Sequence, residues 1–473
     1  MYAPATNTAR FNHLNDSDYI FQYNRSPADR CILMGDFNHN LHRSTRSNRA
    51  LSWYRWIQQH WHDPIHVNSD YRDIPTFRNI STIDFLLVTN DLKHCVSQPK
   101  TQYVPNCDHS AISMTITLGE QRTGPGIWRC NPLLVNDKSF RLELTSFCNA
   151  AARHIPMLEP PAQWNHFKVM LKGFVQNFTH KLHAKMNRKQ DYLQRRRRLL
   201  LRQQHIDHSV DALKHVESQL DQMAELTAST LAIRQKQAIH ELQSSDGQLV
   251  ISLHQLNECT KQFYEKLYSA EPIQLEAMEE ILNHIPPSTC FNEDVNNALT
   301  SSWTEEEILA CVSKAPRNIS PGVDGIPYEI LQLLLQHLFC RDLFAKILNL
   351  ALKESKFPAT WQQSVVVFLT KKGERIQLQN WRPVSLICAD AKIFTRLLAT
   401  RINEVLPHLI NVHQTGFMPE RFIANNGATT RLIMKIAERF KLPRIALLLD
   451  QEKAYDRVHP QYLQACSERF GSP

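Results

Sequence analysis

The chain has only 12 glycines in 473 residues, where about 7% would be usual for a soluble protein. Because tight turns depend on glycine, this scarcity disfavours a turn-rich all-β fold and predicts that helix dominates. At ~150 residues per domain the length predicts about three units, each large enough to bury a core. The composition, 42% apolar and 21% charged without a long uncharged apolar run, argues against a disordered, collagen-like or membrane-spanning chain.

The cysteine pattern and the N-terminus indicate the compartment. The chain has 11 cysteines, an odd number, and no two lie within four residues of each other. This spacing favours reduced thiols over zinc knuckles or a disulfide framework. The first residues lack the basic patch and apolar stretch of a secretory signal. We therefore expect a nuclear or cytoplasmic protein that is neither secreted nor bound in a membrane.

The positive charge is concentrated in one window. The formal net charge is +8, and residues 181–202 contain nine basic residues and one acidic residue, so the rest of the chain is neutral overall. A concentrated excess predicts contact with a polyanion, and Arg195, Arg196, Arg197 and Arg198 are the predicted nucleic-acid-binding residues. A solvated helix face or a nuclear import signal explains this stretch equally well when it is taken alone.

Three segments follow one another along the chain. Residues 1–119 alternate apolar runs with loops, which is typical of an α/β sheet domain. The turn signal from Gly119 to Gly126 marks the first boundary. Residues 120–300 read as a basic helical connector, and residues 301–473 as a second α/β unit.

Local patterns predict individual elements. In the first segment, strands are predicted for the apolar runs 30–35, 83–88 and 111–118. The connector has apolar residues spaced by three and four from Ile206 to Leu226, which predicts one helix face. Thr304 followed by three glutamates predicts a helix start. The runs 365–369 and 445–449 are predicted to be buried strands.

Polar side chains in the first segment lie at predicted strand ends. Asp36 and Asn38 follow one strand, Asp84 opens the next, and Asp108 and His109 precede the last. Side chains at such positions are held rigidly yet face a cleft. An Asp that orients water, an Asn that donates to an anionic oxygen and a His held by a second Asp suit metal-assisted phosphodiester cleavage. Taken singly, each pair is more often a turn or an exposed pair.

In this order the motifs closely resemble the endonuclease/exonuclease/phosphatase superfamily, specifically the apurinic-type endonuclease of LINE-like (non-LTR) retrotransposons. The resemblance covers residues 1–119 and implies the C-terminal half of an α/β sandwich. Five motifs carry it, namely Tyr2-Ala3-Pro4, Gly35-Asp36-Phe37-Asn38, Pro75-Thr76-Phe77, Thr82-Ile83-Asp84-Phe85 and Cys107-Asp108-His109-Ser110.

The resemblance implies a catalytic role for five matching residues. Asp36 would position the nucleophilic water, and Asn38 would bind the scissile phosphate together with His109. Asp84 would orient His109. Asp108 would assist at the metal or at the leaving group.

The same resemblance implies that Tyr2 and Thr76 contact the phosphate backbone of the substrate. The sequence departs from the family in two respects. Cys107 stands where the family usually has Ser, so a hydroxyl donor is lost. The early Asn and the metal-binding Glu of the family are expected before Tyr2.

Four landmarks follow in the third segment, at residues 320–327, 380–386, 413–418 and 447–458. The first, with two glycines and two prolines, predicts an exposed loop. In the last, an apolar strand ends in Asp450, so its carboxylate is expected at a sheet edge, where it can bind Mg²⁺. A helix-capping aspartate is the alternative interpretation.

Two further positions suit nucleotide binding. Tyr455 can lie beneath the sugar of an incoming nucleotide, where its ring blocks a 2′-hydroxyl. Arg382, in a predicted loop after Lys371 and Lys372, offers a planar fork for triphosphate oxygens. A half-buried tyrosine and a surface salt bridge are the ordinary alternatives.

In this order the landmarks are similar to the fingers and early palm of a LINE-type reverse transcriptase, over residues 301–473. The resemblance implies that Asp450 holds catalytic Mg²⁺, or Mn²⁺, and that Tyr455 is the sugar gate. It also implies that Arg382 and a lysine of the pair Lys371 and Lys372 contact nucleotide phosphates. The residues implied to place template and primer are Gln414, Gly416 and Phe417. A second metal-binding motif, Tyr-x-Asp-Asp, comes later in such enzymes, and no such tetrapeptide occurs here.

Endonuclease, basic connector and reverse transcriptase in this order are the layout of a retrotransposon polyprotein. In that layout the nuclease nicks target DNA, and the polymerase extends the new 3′ end with deoxynucleotides on an RNA template. The alternative is a truncated, inactive remnant that at most binds nucleic acid. Because loss of one ligand set removes several kcal/mol of transition-state stabilisation, we expect the chain as written to be inactive at both sites.

Overall fold

The computed structural model describes residues 30–42, 56–72, 74–117, 126–203, 209–230, 239, 241–269, 271–286, 289–443, 447, 449–450 and 457–472. The chain divides into two compact units, Met1–Gly126 with Asn177–Arg234, and Ile127–Gln176 with Gln235–Pro473. The predicted connector, 120–300, therefore contributes to both units, and its limits as a domain stay predictions. None of the described helices is long and apolar enough to cross a membrane.

Helices and strands are mixed, as an α/β class requires. The described strands are β1 Ile32–Asp36, β2 Trp61–His62, β3 Asp84–Thr89, β4 Val96–Gln102, β5 Ala111–Ile116, β6 Leu242–Gln243, β7 Leu249–Val250, β8 Val365–Thr370 and β9 Trp381–Leu386. The described helices are α1 Lys138–His154, α2 Pro160–Arg202, α3 Ser209–Thr230, α4 Leu253–Tyr268, α5 Leu275–Asn283, α6 Glu293–Thr300, α7 Glu305–Ser313, α8 Tyr328–Leu334, α9 Leu338–Glu354, α10 Ala389–Leu409, α11 Ile423–Arg439 and α12 Pro460–Arg469.

Strand β3 is the centre of the first unit. It pairs antiparallel with β1 on one side and with β2 on the other. Phe85 and Leu87 enter one apolar cluster, whereas Leu86 and Val88 enter a second cluster that includes side chains of β5. Because successive side chains of a strand point to opposite faces, both faces of β3 are covered, which explains its continuous apolar sequence.

The helical part of the first unit confirms the predicted register from Leu213 to Met223, whereas Val210, also predicted on this face, is exposed. Leu213, Val216, Leu220 and Met223 of α3 are all buried. Three of them form a cluster with Leu193 of α2. The apolar face of α3 is thus the one that its spacing by three and four residues predicts.

Aromatic side chains form much of the core of the second unit. Trp164 stacks on Phe167 one helical turn along α2, and its ring centroid lies 5.5 Å from that of Phe344 in α9. The N-cap of helix α1 is Asp137, whose carboxylate accepts hydrogen bonds from backbone N–H groups of the first turn. Such a cap satisfies donors that a helix start leaves without partners.

Helix α7 starts at the position that the sequence predicts, and the structure shows that this start is a capping box. The Thr304 hydroxyl accepts the Glu307 N–H, and the Glu307 carboxylate accepts the Thr304 N–H at 2.8 Å. Arg401 of α10 donates to the same carboxylate at 3.1 Å, and its guanidinium lies 3.6 Å from the ring centroid of Trp303. Burial raises the pKa of Glu307, but the hydrogen bonds from Thr304 and Arg401 outweigh it and lower that pKa.

The loop 320–327 is buried over most of its length, so the prediction of an exposed loop was wrong. A Cβ atom on Gly322 would lie 2.4 Å from the backbone nitrogen of Cys388, so another chain segment packs directly against this glycine. Gly325 adopts a φ of +69°, and its carbonyl accepts the N–H of Cys130 at 2.9 Å. The glycines therefore allow close packing here rather than an exposed turn.

The two apolar runs of the third segment are less buried than predicted. The run 365–369 forms β8, which among the described strands pairs with β9 alone, and Val366 and Leu369 are exposed. Phe368, whose side chain points to the opposite face from that of Leu369, packs against a buried cluster, so the strand is covered in part and solvated in part. The run 445–449 lies partly outside the described residues, and its described members Leu447 and Leu449 are 78% and 85% exposed without regular structure.

Candidate functional site

Two carboxylates lie side by side where β1 ends and β3 begins. Asp36 pairs with Asp84 in the antiparallel register. The next residue, Phe37, is fully buried, and its N–H donates to the Ile83 carbonyl at 2.8 Å. Asn38 turns the chain with a φ of 50°, and its N–H donates to Asp36 Oδ1 at 2.7 Å. This turn holds the Asn38 backbone against the Asp36 carboxylate.

His109 completes this group. Its Nδ1 lies 2.9 Å from Asp84 Oδ2, and its ring packs against Phe77 with centroids 4.8 Å apart. Burial lowers the pKa of His109, but the hydrogen bond to Asp84 and the charges of Asp84, Asp36 and Asp108 outweigh it, so the pKa is raised. The structure thus brings together Asp36, Asp84 and His109, while their catalytic roles stay predictions.

Asp108 lies at the edge of the group. Its carboxylate is 3.4 Å from Nε of Arg78, and both side chains are largely exposed. Within the described ranges, Asp108 belongs to no cluster of three or more metal-ligating side chains. Its role as a metal ligand stays a prediction.

Thr76 is a structural residue, contrary to the prediction that it contacts substrate phosphate. Its side chain is buried, and its hydroxyl accepts the N–H groups of Ile83 and Asp84, each at 3.1 Å. Because this hydroxyl fixes the start of β3 from inside the fold, it cannot reach a bound strand. Tyr2, the other predicted phosphate contact, lies outside the described residues.

A second polar cluster in the first unit was not predicted from the sequence. The buried Asp63 carboxylate lies 2.9 Å from Nε2 of His42 and 2.8 Å from Nδ1 of His66, and it also accepts the N–H of Ile65. Burial raises the pKa of Asp63, but the hydrogen bonds from both histidines hold it well below its usual range. These contacts satisfy the carboxylate in the interior, so the cluster has an adequate structural explanation.

Three cations emerge at one end of the β8–β9 sheet. Arg382 lies within β9, opposite Leu369, and not in the predicted loop. Alternation along β9 exposes Arg382 while it buries Trp381. Lys371 and Lys372 follow β8 directly and are exposed. The Lys371 N–H donates to the Asn380 carbonyl at 2.7 Å. The end of this sheet is therefore positively charged.

The predicted template and primer residues lie in one loop between α10 and α11. The Gln414 amide donates to the Gly416 carbonyl at 3.1 Å, and Phe417 is 91% exposed with a φ of 59°. Arg421, which the sequence did not single out, donates to the carbonyls of Asn411 and Gln414 at 2.6 and 2.9 Å. Arg421 therefore fixes the shape of the loop that presents Phe417.

Asp450 is exposed, and the described residues before it, Leu447 and Leu449, have no regular structure, so its predicted place at the end of a buried strand is not observed in the described residues. It belongs to no cluster of three or more metal-ligating side chains within the part of the chain that the structure describes. Its carboxylate is accessible to an aqueous cation. Tyr455, the predicted sugar gate, lies outside the described residues.

A buried ionic network in the second unit was missed at the sequence level. Lys168 of α2 lies 3.0 Å from Asp324 and 2.8 Å from Asp390, and its ammonium also donates to Thr360. The Trp164 indole donates to the Asp390 carboxylate at 2.7 Å. The signal was available, because Lys168 lies one helical turn after Trp164 on an apolar helix face.

The charges of this network depend on one another. Burial lowers the pKa of Lys168, but the charges of Asp390 and Asp324 outweigh it and raise that pKa. Burial raises the pKa of Asp390, and Lys168 together with the Trp164 indole reverses this shift. Burial and the charge of Asp390 raise the pKa of Asp324. Lys168 is thus the cation that allows two carboxylates in this interior.

Arg197 is buried and is not part of an exposed surface. The prediction that it binds nucleic acid was therefore wrong. Its Nε lies 2.8 Å from the Glu217 carboxylate of α3, and its guanidinium lies 4.8 Å from the ring centroid of Tyr103. It also donates to the Asn79 side chain. The three partners come from distant parts of the sequence, which is why a run of arginines could not reveal them.

The other members of that run differ in exposure. Arg195 and Arg196 are exposed. Arg198 is half-buried, with its guanidinium 4.9 Å from the ring centroid of Tyr71. Within the run, only Arg195 and Arg196 present their full charge to solvent.

Comparison with known proteins gives a family for part of the chain. Residues 369–473 match the model described as reverse transcriptase (RNA-dependent DNA polymerase). The whole chain is similar to the transposon TX1 uncharacterized 149 kDa protein of Xenopus laevis, with 26% identity over 508 aligned residues that cover 98% of this chain and 38% of that protein.

Two relatives from Drosophila melanogaster match shorter parts. The probable RNA-directed DNA polymerase from transposon BS is 23% identical over 253 residues, which cover 46% of this chain and 28% of that protein. The retrovirus-related Pol polyprotein from the type-2 retrotransposable element R2DM is 24% identical over 214 residues, which cover 44% of this chain and 19% of that protein. The chain therefore spans less than two fifths of the length of these relatives.

Proposed function

Because the sequence is that of a LINE-like retrotransposon polyprotein with a reverse transcriptase segment, we propose that this chain takes part in RNA-directed DNA synthesis at a nick in target DNA. The observation that carries the proposal is the reverse transcriptase match over residues 369–473. This range contains Arg382, Gln414 and Asp450, which the sequence analysis selected for nucleotide, template and metal binding. The substrates are an RNA template, a DNA primer end and deoxynucleotides.

The positively charged end of the β8–β9 sheet supports the nucleotide-binding part of the proposal. Lys371, Lys372 and Arg382 project into solvent there, and a triphosphate needs several cations close together. The exposed Asp450 carboxylate is a hard oxygen ligand, which suits Mg²⁺ or Mn²⁺. A divalent cation held there would stabilise charge on the transferred phosphate.

The test uses the whole chain with a primed RNA template, deoxynucleotides and Mg²⁺ or Mn²⁺. Template binding and primer extension are measured in the same samples. Extension that Asp450→Asn abolishes, with binding retained, supports polymerase chemistry. Binding without extension supports the second candidate, in which the chain binds nucleic acid without catalysis. Absence of both contradicts both candidates.

We further propose that the first unit derives from the endonuclease half of such a polyprotein and acts on target DNA. The pair of Asp84 and His109, with Asp36 and Asn38 beside it, supports this proposal, since an imidazole oriented by a carboxylate suits phosphodiester chemistry. The α/β sandwich of the endonuclease/exonuclease/phosphatase superfamily is the corresponding fold. The implied role of Asp108 at the metal or leaving group is part of the same proposal.

Nicking of supercoiled plasmid in Mg²⁺ tests the endonuclease proposal. If the unsubstituted chain nicks the plasmid, His109→Ala should remove nicking, and His94→Ala, which changes an exposed histidine of the same unit, should not. Equal nicking by both variants would contradict the assignment of His109. If the unsubstituted chain binds the plasmid without nicking it, the binding-only candidate is favoured.

A further inference from the structure

The part of α2 that lies in the first unit has two opposite faces of different character. Its inner face contains Leu193, Arg197 and Leu201, all buried. At 100° per residue, positions 181, 185, 188, 192 and 195 lie on the opposite side of the helix axis from Arg197. The buried cation Arg197 therefore lies on the inner face of the helix, and the cations at 181, 185, 188 and 195 lie on the outer face.

The outer face presents a row of cations along the helix. We define the basic row as Lys181, Lys185, Arg188 and Arg195, all of which are exposed. None of the four forms an ion pair with another residue of the described ranges. Asp191 is the one acidic residue between 177 and 202. At 1.5 Å per residue the row is about 21 Å long. The exposed Lys189 and Arg196 flank it.

We propose that the basic row binds the sugar–phosphate backbone of double-helical nucleic acid. This inference rests on the proposed nucleic-acid function and names the surface of the chain that binds the nucleic acid. A straight row about 21 Å long matches roughly six base pairs at ~3.4 Å per phosphate along each strand. A small anion would instead need cations that converge on one point.

The side chains between the cations favour a duplex over a single strand. Single strands bind where successive bases stack on several aromatic side chains. In the described length of the row, one exposed aromatic residue, Tyr192 at 59% exposure, interrupts the cations. This face therefore offers mainly positive charge, which suits the phosphates of a duplex better than the exposed bases of a single strand.

The structure also changes which residues belong to the binding surface. The run 195–198 suggested four adjacent arginines, but adjacent positions on a helix point in different directions. Arg197 faces inward to Glu217. The row adds Lys181, Lys185 and Arg188, which the run does not include.

The experiment measures binding of the whole chain to labelled 20-base-pair duplexes by fluorescence anisotropy over a series of KCl concentrations. One duplex is DNA and one is an RNA–DNA hybrid, so that the two sources of the same backbone chemistry are distinguished. The row variant carries Lys185→Gln, Arg188→Gln and Arg195→Gln, because Gln has a helix propensity close to that of Lys and Arg. The control variant carries Lys266→Gln, Lys346→Gln and Lys353→Gln, which remove equal charge from exposed helical positions elsewhere.

The row variant should bind more weakly, and the slope of log K against log salt should become shallower by up to about 2.7 on DNA, at ~0.9 per phosphate contact. The control should keep the slope, and circular dichroism should show equal helicity for both variants. Equal slopes in the row variant and the unsubstituted chain would overturn the proposal, as would equal losses in both variants. Tighter binding to single strands that Tyr192→Ala weakens would overturn the choice of a duplex. Primer extension is not the readout, so failure of the polymerase proposal leaves this result interpretable.

Discussion

The Nδ1 atom of His109 lies 2.9 Å from Oδ2 of Asp84, although the two residues are 25 positions apart in the sequence. Asp84 begins β3, whose next four residues are buried on both faces, so the carboxylate is held by a rigid strand. The imidazole is only partly covered. A carboxylate at Nδ1 leaves Nε2 as the nitrogen that can act on a substrate.

Asp84→Asn should lower the pKa of His109, because the raised pKa depends on the hydrogen bond and charge of Asp84. Titration of the His109 ring protons by NMR measures this change, and His94 provides an internal control in the same spectra. A pKa of His109 that stays raised in the variant would show that other groups cause the shift.

The same contact makes stability depend on pH. Since folding raises the pKa of His109, its contribution to the free energy of unfolding is fully present below about 6.5, the unfolded value. The contribution is lost as the pH rises through the folded pKa. Urea denaturation across this pH range should show that the free energy of unfolding of the unsubstituted chain falls as the pH rises. The fall should be smaller in Asp84→Asn.

Arg197→Met should lower the free energy of unfolding by about 3–5 kcal/mol, because it leaves the Glu217 carboxylate without its buried partner. Arg196→Met, at an exposed neighbouring position, should change it by less than ~0.5 kcal/mol. Urea denaturation followed by circular dichroism gives both values. Similar effects of the two substitutions would mean that Arg197 is not held as the structure describes.

Lys168→Met should also destabilise the protein by about 3–5 kcal/mol, since two buried carboxylates lose their common cation. Adding Asp390→Asn should restore part of the loss, because one buried charge is removed while an oxygen remains to accept the Trp164 indole. Trp fluorescence during urea denaturation reports directly on this network. If Asp390→Asn lowered the free energy of unfolding further, repulsion between Asp324 and Asp390 would not be the cause of the destabilisation by Lys168→Met.

Gly322→Ala should destabilise the protein by about 1–3 kcal/mol, because the new methyl group meets the backbone of Cys388. Gly173→Ala is the matched control in α2, where no atom lies within 4 Å of the added Cβ, and it should stabilise the helix by about 0.5–1 kcal/mol. Thermal unfolding compares the two. If Gly322→Ala left the unfolding temperature unchanged, the segments around Gly322 and Cys388 would be able to move apart without loss of stability.

Local features of the fold were predictable, and features that depend on distant partners were not. The capping box at Thr304 and the helix face of Val216 follow from residues close in sequence, so their patterns were sufficient. The burial of Arg197 and Thr76 depends on contacts made only after folding, and a motif or a charge run contains no information about them. Arg382 was predicted to lie in a loop after Lys371 and Lys372, but it lies in β9, where Pro383 is accommodated because the two-stranded sheet has open edges.

The candidate site shows the same division. The pairing of Asp84 with His109 could be anticipated through the family resemblance, which supplies long-range information that composition lacks. Lys168 had a local signal, its position on an apolar helix face, but its two acidic partners lie 156 and 222 positions away. Arg421 had no such signal, because its partners are backbone carbonyls.

Glu307 serves two partners at once, since the carboxylate that closes the capping box of α7 also binds Arg401, 94 positions later. A substitution of Glu307 disturbs both the helix start and the contact with α10, whereas a substitution of Arg401 removes the contact and leaves the capping box in place. Positions 307 and 401 should consequently covary among related transposon sequences, with an acid at the first accompanied by a base at the second. Where a related sequence has lost the acid at 307, the base at 401 should vary more freely, because its ion-pair partner is gone.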